Sequence, residues 1–184
     1  MNKLKTWTKT GEKKLLTTPL FEVVGLKRLS PKDGQEKTFA TLRSPDWVNI
    51  LPITENGQAV LVNQFRHGSG EFSLELPGGL SEPGQSALET AQRELMEETG
   101  YSSDDFTPLC SIRPNPALFD NFIHTYLAKK AKKTGPTQFD ENEDLDLVLV
   151  PVEKLKSLVL DGTISHALVV AALGHYFFKQ EQIA

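Results

Sequence analysis

One cysteine, Cys110, stands in the 184-residue chain, so no internal disulfide can form. No histidine or asparagine accompanies it in a familiar thiol-enzyme context, and a lone cysteine reads as a small buried hydrophobe. Apolar runs long enough to cross a bilayer are missing, so no membrane partner is expected. The start MNKLKTWTKTGEKKLL carries lysines but no apolar core and no cleavage pattern. No secretory signal is therefore expected, and the cytoplasm is the expected compartment. Positive charge is not in excess either: 20 Lys and Arg against 24 Asp and Glu give a formal net charge of −4. A nucleic-acid binder that neutralises many phosphates needs the opposite balance, whereas a small phosphorylated ligand needs only a few local cations. The four histidines are scattered, with His67 in a loop, His124 in a strand and His166 and His175 towards the end, and none suggests a site. No internal repeat is visible.

What remains is ordinary globular material, 39% hydrophobic and 24% charged, and enough of it to bury a core. Residues 1–14 are polar and lysine-rich, which predicts a mobile or loosely paired start. Residues 21–29 and 37–42 read as two short strands around a turn at Asp33-Gly34. Ser44-Pro45-Asp46 marks a boundary, so residues 1–45 are expected to form a β-rich arm and 46–184 the main domain. Further strands are predicted at 47–53, 58–65, 72–76, 109–113, 122–128 and 145–150, with an Asn56-Gly57 turn between the first two. Between the last two lies KKAKKTGPTQFDENED, read as one long charged loop; loops of that size are usually functional or disordered. Residues 152–161 and 165–179 read as helices, with Gly162 capping the first. The fold class expected is a mixed sheet with helices on its faces, α/β or α+β.

The segment SALETAQRELMEETGY changes period and becomes helical. Ser86 and Glu89 stand in a capping-box arrangement, and Gly100 takes the C-terminal cap position. At about 100° per residue, Ala87, Leu88, Ala91 and Leu95 form one apolar stripe. Glu94, Glu97 and Glu98 crowd an adjoining arc, with Glu98 falling between apolar positions. Three carboxylates so close repel one another, and one borders the core, which is unfavourable unless a cation compensates. A hard divalent ion with oxygen ligands fits, Mg²⁺ being the usual one where phosphates are present. Arg93 lies one turn from Glu89 and Glu97, where it can orient a glutamate from the side.

With its preceding loop, the stretch GLSEPGQSALETAQRELMEETGY closely resembles the Nudix box, G-x5-E-x7-R-E-U-x-E-E-x-G-U, where U is a bulky apolar residue. Gly79, Arg93, Glu94, Leu95, Glu97, Glu98 and Gly100 fall on its fixed positions, and Tyr101 fills the last apolar slot. Gln85 departs from it, standing where the pattern has a glutamate that mainly buttresses the arginine; the Gln85 amide oxygen is expected to bond Arg93 without the charge. The resemblance covers about residues 47–178. QFR at 64–66 and SLELPGGL at 73–80 are similar to the branch that cleaves ADP-ribose and nucleoside diphosphate sugars. FDENED at 139–144 resembles that branch's acidic loop, and Pro116 its downstream proline. NPALFDN at 115–121 departs from the Ser-Pro-Gly style of many ADP-ribose enzymes, which leaves the sugar open.

The resemblance implies an α/β/α sandwich-like Nudix fold and an Mg²⁺-dependent hydrolase, with Mn²⁺ as a substitute. It implies a small-molecule nucleoside diphosphate sugar as substrate, such as ADP-ribose or GDP-mannose, and a homodimer formed through the N-terminal arm. Glu94, Glu97 and Glu98 and the backbone carbonyl of Gly78 are the expected metal ligands, Glu98 foremost. Glu141 is the expected general base, with Glu143 as its alternative and Glu97 also counted among the catalytic residues. Arg66 is expected to pair with the diphosphate, Trp47 to stack on the base, and Gln85 and Arg93 to support the box. Dinucleoside polyphosphates or nucleoside triphosphates as substrates, and a non-catalytic sensor of nucleotide sugars, are the alternatives.

Overall fold

The computed structural model describes residues 4–139 and 144–182. By compactness the chain divides into two units: the residues up to Pro45 with Arg113–Phe122, and Asp46–Ile112 with the residues from Ile123 onward.

The first unit is a three-stranded antiparallel sheet in the order β1 (Thr8–Thr17), β2 (Glu22–Leu29), β3 (Glu36–Arg43). Residues 8–17 thus form a ten-residue edge strand and not a mobile or loosely paired segment. Its sequence hides this because nearly every β1 side chain is exposed, and a strand with no buried face need not alternate. Pairing rests on the ladder to β2 and on ion pairs that lace the sheet, Lys14 with Glu22 and Glu12 with Arg43 at 3.0 Å. Residues 113–122 join this unit through a bridge between Leu42 and Phe119 and a bond from the Asn121 amide to the Pro45 carbonyl at 2.9 Å.

The second unit is built on a seven-stranded mixed sheet. Its elements are β4 (Trp47–Thr54), β5 (Gln58–Arg66), β6 (Glu71–Glu75), α1 (Ala87–Thr99), β7 (Tyr101–Ser102), β8 (Asp105–Ile112), β9 (Ile123–Lys133) and β10 (Leu145–Pro151). A 3₁₀ turn (Val152–Lys154), α2 (Leu155–Leu160) and α3 (Ala167–Glu181) complete it. Strand order is β10-β5-β4-β9-β7, with β6 paired to β5 and β8 to β9. The β4–β9 pair is parallel; β10–β5, β5–β6 and β8–β9 are antiparallel.

Strand β4 shows why the sheet carries helices on both faces. Val48 and Ile50 pack with Ala91 and Leu95 of α1 and with Ala128, whereas Leu51 joins Leu155, Val169, Ala172 and Leu173 on the other side. Successive residues point to opposite faces, so a strand buried on both reads as a continuous apolar run. Lys129, Lys130, Lys132 and Lys133 do not belong to a loop, as the sequence suggested, but extend β9. The register shifts between Ile53 and Thr54, opposite a Lys130 with φ of 52°, and this bulge interrupts the alternation that would have marked a strand.

Candidate functional site

Helix α1 begins and ends as its sequence dictates. The Ser86 hydroxyl accepts the Glu89 N–H at 3.2 Å, and the Glu89 carboxylate accepts the Ser86 N–H at 2.8 Å. That backbone bond holds the Glu89 carboxyl below the usual carboxylate range. Gly100 closes the helix with φ of 70°, a left-handed conformation glycine adopts without Cβ strain, and its N–H reaches the Met96 carbonyl at 2.8 Å. The buried stripe is narrower than the spacing predicts: Ala91 and Leu95 are fully buried, but Leu88, in the first turn, lies outside their cluster and is exposed.

Two of the three glutamates are buried, Glu94 at 8% and Glu98 at 4% exposure, and Glu97 is half-buried. The helix supplies a cation of its own between two of them. Arg93 donates from Nη2 to Glu94 Oε1 at 2.8 Å and from Nη1 to Glu97 Oε2 at 2.6 Å. Burial works against the charged guanidinium, and the Glu94 and Glu97 carboxylates outweigh it, so its pKa is raised. Glu98 accepts the Gly78 N–H at 2.8 Å. A Cβ on Gly79 would stand 2.3 Å from Glu94 Oε1, so a side chain there would displace that carboxylate. The LPGG segment therefore lies against two of the α1 carboxylates with bare backbone.

Among the described residues no three His, Cys, Asp or Glu side chains close into a ready-made metal cage. The donor chemistry nevertheless suits a hard divalent ion, which commonly takes only one or two carboxylates and fills its shell with water and phosphate oxygens.

Gln85 does not bond Arg93 as the sequence suggested. Its amide oxygen faces the Thr90 hydroxyl at 3.3 Å and its nitrogen donates to Glu82 Oε2 at 3.0 Å. Sequence reasoning passed over Glu82, whose other oxygen lies 3.9 Å from Arg93 Nη2.

The NUDIX domain family matches residues 44–173. The chain belongs to the Nudix family. Among its relatives, the Bacillus methanolicus protein named methanol dehydrogenase activator is 32% identical over 152 residues, covering 82% of this chain and 82% of that one. The ADP-ribose pyrophosphatase of Bacillus subtilis (strain 168) is 28% identical over 149 residues, 80% of each chain. A crystal structure of an ADP compounds hydrolase superposes with a TM-score of 0.86 over 100% of this chain and 99% of that one, at 24% identity, which establishes the shared fold.

Outside the Nudix helix, the remaining expected site residues and their neighbours have partners within the protein. Arg66 grips Glu75, with Nε at 2.8 Å and Nη2 at 2.7 Å from its two oxygens. Glu75, in the LELPGG run, is 2% exposed and went unnoticed in the sequence, although strand parity puts both on one pleat face. Burial pushes the Glu75 carboxyl up, but the Arg66 bond and charge, helped by His166, bring it below the usual range. Trp47 shares the pleat parity of Asn49 and Leu51, on the face opposite Val48, Ile50 and α1, and its backbone bridges Leu80. His124 bonds Ser111 through Nδ1 at 2.8 Å and Asp46 through Nε2 at 3.2 Å, linking β8, β9 and the start of β4. Glu141 and Glu143 lie outside the described residues.

The Arg66–Glu75 pair gives an asymmetric stability prediction. Arg66→Ala removes both guanidinium bonds from a buried carboxylate and is expected to cost about 3 kcal/mol. Glu75→Gln leaves a half-exposed guanidinium that water can solvate, and is expected to cost about 1–2 kcal/mol. Because Glu75 is lowered in the folded state, its contribution is present above the unfolded carboxyl value of 4.5 and is lost as pH falls through the folded value. The gap between urea melts of wild type and Glu75→Gln should therefore narrow from pH 7 to pH 3.5; a constant gap would contradict the assignment.

Proposed function

We propose that this Nudix protein hydrolyses the diphosphate linkage of a nucleoside diphosphate sugar, ADP-ribose or a close analogue, to a nucleoside monophosphate and a sugar phosphate. The reading is carried by Glu94 and Glu98, two buried carboxylates of one helix gathered beside the bare Gly78-Gly79 backbone. It is supported by the name of the Bacillus subtilis relative, an ADP-ribose pyrophosphatase.

Glu94, Glu97 and Glu98 hold the divalent cation, Mg²⁺ with Mn²⁺ as a substitute, and the Gly78 carbonyl joins them. The Pro77 and Gly79 carbonyls accept from Ile50 and Val48, both at 2.9 Å. In an extended segment the Gly78 carbonyl then points the other way, to the side on which its N–H meets Glu98. When bound, the cation polarises the diphosphate oxygens and lowers the pKa of the attacking water. Arg66, fixed by Glu75, meets the diphosphate with its solvent-facing edge. Glu141 takes the proton from water, with Glu143 as the alternative. The segment that leads to them is anchored at Gln138, whose N–H donates to the Glu97 carbonyl at 2.7 Å. The active species is a homodimer formed through the β1–β3 sheet, which exposes Leu15, Leu16, Leu29 and, on β3, Phe39, with Leu20 exposed in the β1–β2 connection.

The test is a panel of ADP-ribose, GDP-mannose, other nucleoside diphosphate sugars, a dinucleoside polyphosphate and nucleoside triphosphates with Mg²⁺, products resolved by chromatography. Nucleoside monophosphate and sugar phosphate in equal amounts are expected; release of pyrophosphate as the main product would overturn the reading.

A further inference from the structure

The loop before α1 is shaped by Glu82-Pro83-Gly84-Gln85. Proline followed by a glycine at φ of 88° is the signature of a type II turn, and the Gln85 N–H closes it on the Glu82 carbonyl at 3.1 Å. The turn brings the side chains of residues 82 and 85 together. A carboxylate has no proton to donate, so the amide group facing Glu82 Oε2 at 3.0 Å is the Gln85 nitrogen. The same Glu82 carboxylate lies 3.9 Å from Arg93 Nη2, a charge contact and not a hydrogen bond.

Arg93 meanwhile has an unusual position. Its side chain is 28% exposed, its Nη atoms are committed to Glu94 and Glu97, and its Nε is buried with no hydrogen-bond partner among the described residues. A divalent cation on α1 competes for the same two carboxylates. An arginine so enclosed then needs another anion, and Glu82 is the carboxylate already in reach.

We propose that Glu82 and Gln85 are positioning residues. The Gln85 amide holds the Glu82 carboxylate beside Arg93, and Glu82 becomes the counter-charge of Arg93 when a divalent cation takes Glu94 and Glu97. The charge that neutralises Arg93 in the cation-loaded enzyme thus comes from residue 82 and is steered by a neutral residue 85. This rests on the reading of Glu94, Glu97 and Glu98 as cation ligands.

The experiment measures Mn²⁺ binding by the loss of the free-ion spin-resonance signal, alongside kcat and KM at low and saturating Mn²⁺. Partners one step removed from a ligand commonly change cation affinity 10–100-fold; because Glu82 is 60% exposed and screened by solvent, about fivefold weaker Mn²⁺ binding is expected for Glu82→Gln. Its kcat should fall at low Mn²⁺ and recover at saturation, with KM for the nucleotide unchanged, which a merely structural role would not produce. Adding Gln85→Glu to Glu82→Gln returns a carboxylate to the turn and should restore affinity to within about twofold, since one charge replaces one charge at similar reach. Unchanged Mn²⁺ affinity in Glu82→Gln, or a double variant no better than the single, would overturn the proposal. Glu98→Gln separates the two levels: wild-type Mn²⁺ binding there would sink the metal assignment itself, whatever Glu82→Gln does.

Discussion

Glu98→Gln is expected to lower hydrolysis of the nucleoside diphosphate sugar by about 100-fold or more, since a cation's charge stabilisation of the transition state is worth several kcal/mol. The fold should survive. A glutamine oxygen can still accept the Gly78 N–H that now meets Glu98 at 2.8 Å. One of three crowded negative charges is also removed, so without added cation the variant should melt at or slightly above the wild-type temperature. The informative comparison is the gain in Tm on adding Mg²⁺ or Mn²⁺. A ligand that binds only the folded state raises Tm with concentration, so wild type should climb and Glu98→Gln should not. A variant that keeps both its turnover and its cation-dependent Tm would place the cation elsewhere.

Gly78→Ala is expected to be the most damaging single substitution in the loop, costing about 3 kcal/mol and lowering Tm by about 6–12 °C. The added Cβ would stand 2.1 Å from the Val48 carbonyl oxygen and 3.1 Å from the Asn49 Cα. Both belong to the backbone of β4, a strand flanked by β5 and β9 and buried on both faces, so relief requires the sheet to shift. Gly79→Ala makes an instructive contrast. Its Cβ would meet the Glu94 carboxylate at 2.3 Å, and the tip of a side chain can turn away. That variant should lose about 1 kcal/mol of stability while losing cation affinity, because Glu94 is the group displaced. Thermal melts with Mn²⁺ titrations should show the first variant failing mainly in stability and the second mainly in binding. If Gly78→Ala melts with the wild type, the close approach of LPGG to β4 is wrong.

The parts of the site that were legible in the sequence are those set by local chemistry. The capping box at Ser86 and Glu89, the glycine cap at Gly100 and the helical spacing of Glu94, Glu97 and Glu98 each depend on neighbours within about one turn, and all appear in α1. The sandwich was implied by the resemblance to the Nudix family, and its physical basis lies in β4 and β5, whose mostly apolar central residues are buried on both faces. What escaped was set by partners distant in sequence or by geometry without periodicity. The Arg66–Glu75 grip crosses a hairpin diagonally, with Arg66 opposite Glu71 in the register and Glu75 opposite Val62. Glu82 reaches Arg93 only because a turn folds it back, and a motif with glutamate at residue 85 directs attention away from residue 82. Strand β1 has no hidden face to declare itself, and the lysines of β9 are disguised by the bulge at Lys130.

The junction at the end of α1 bears on which pieces of this sequence can be exchanged between relatives. The Gly100 carbonyl accepts from both Thr134 and Gly135, at 2.8 and 3.1 Å, and a Cβ on Gly100 would collide with the Gly135 carbonyl at 2.3 Å. Gln138 then bonds the Glu97 carbonyl one turn back along the helix. The box ends at Tyr101 in sequence, yet its last turn is completed by backbone more than thirty residues downstream. As a transplantable cassette it is therefore discontinuous: a graft of residues 79–101 carries the carboxylates but leaves behind the segment 134–138 that seats their helix, and the two must travel together.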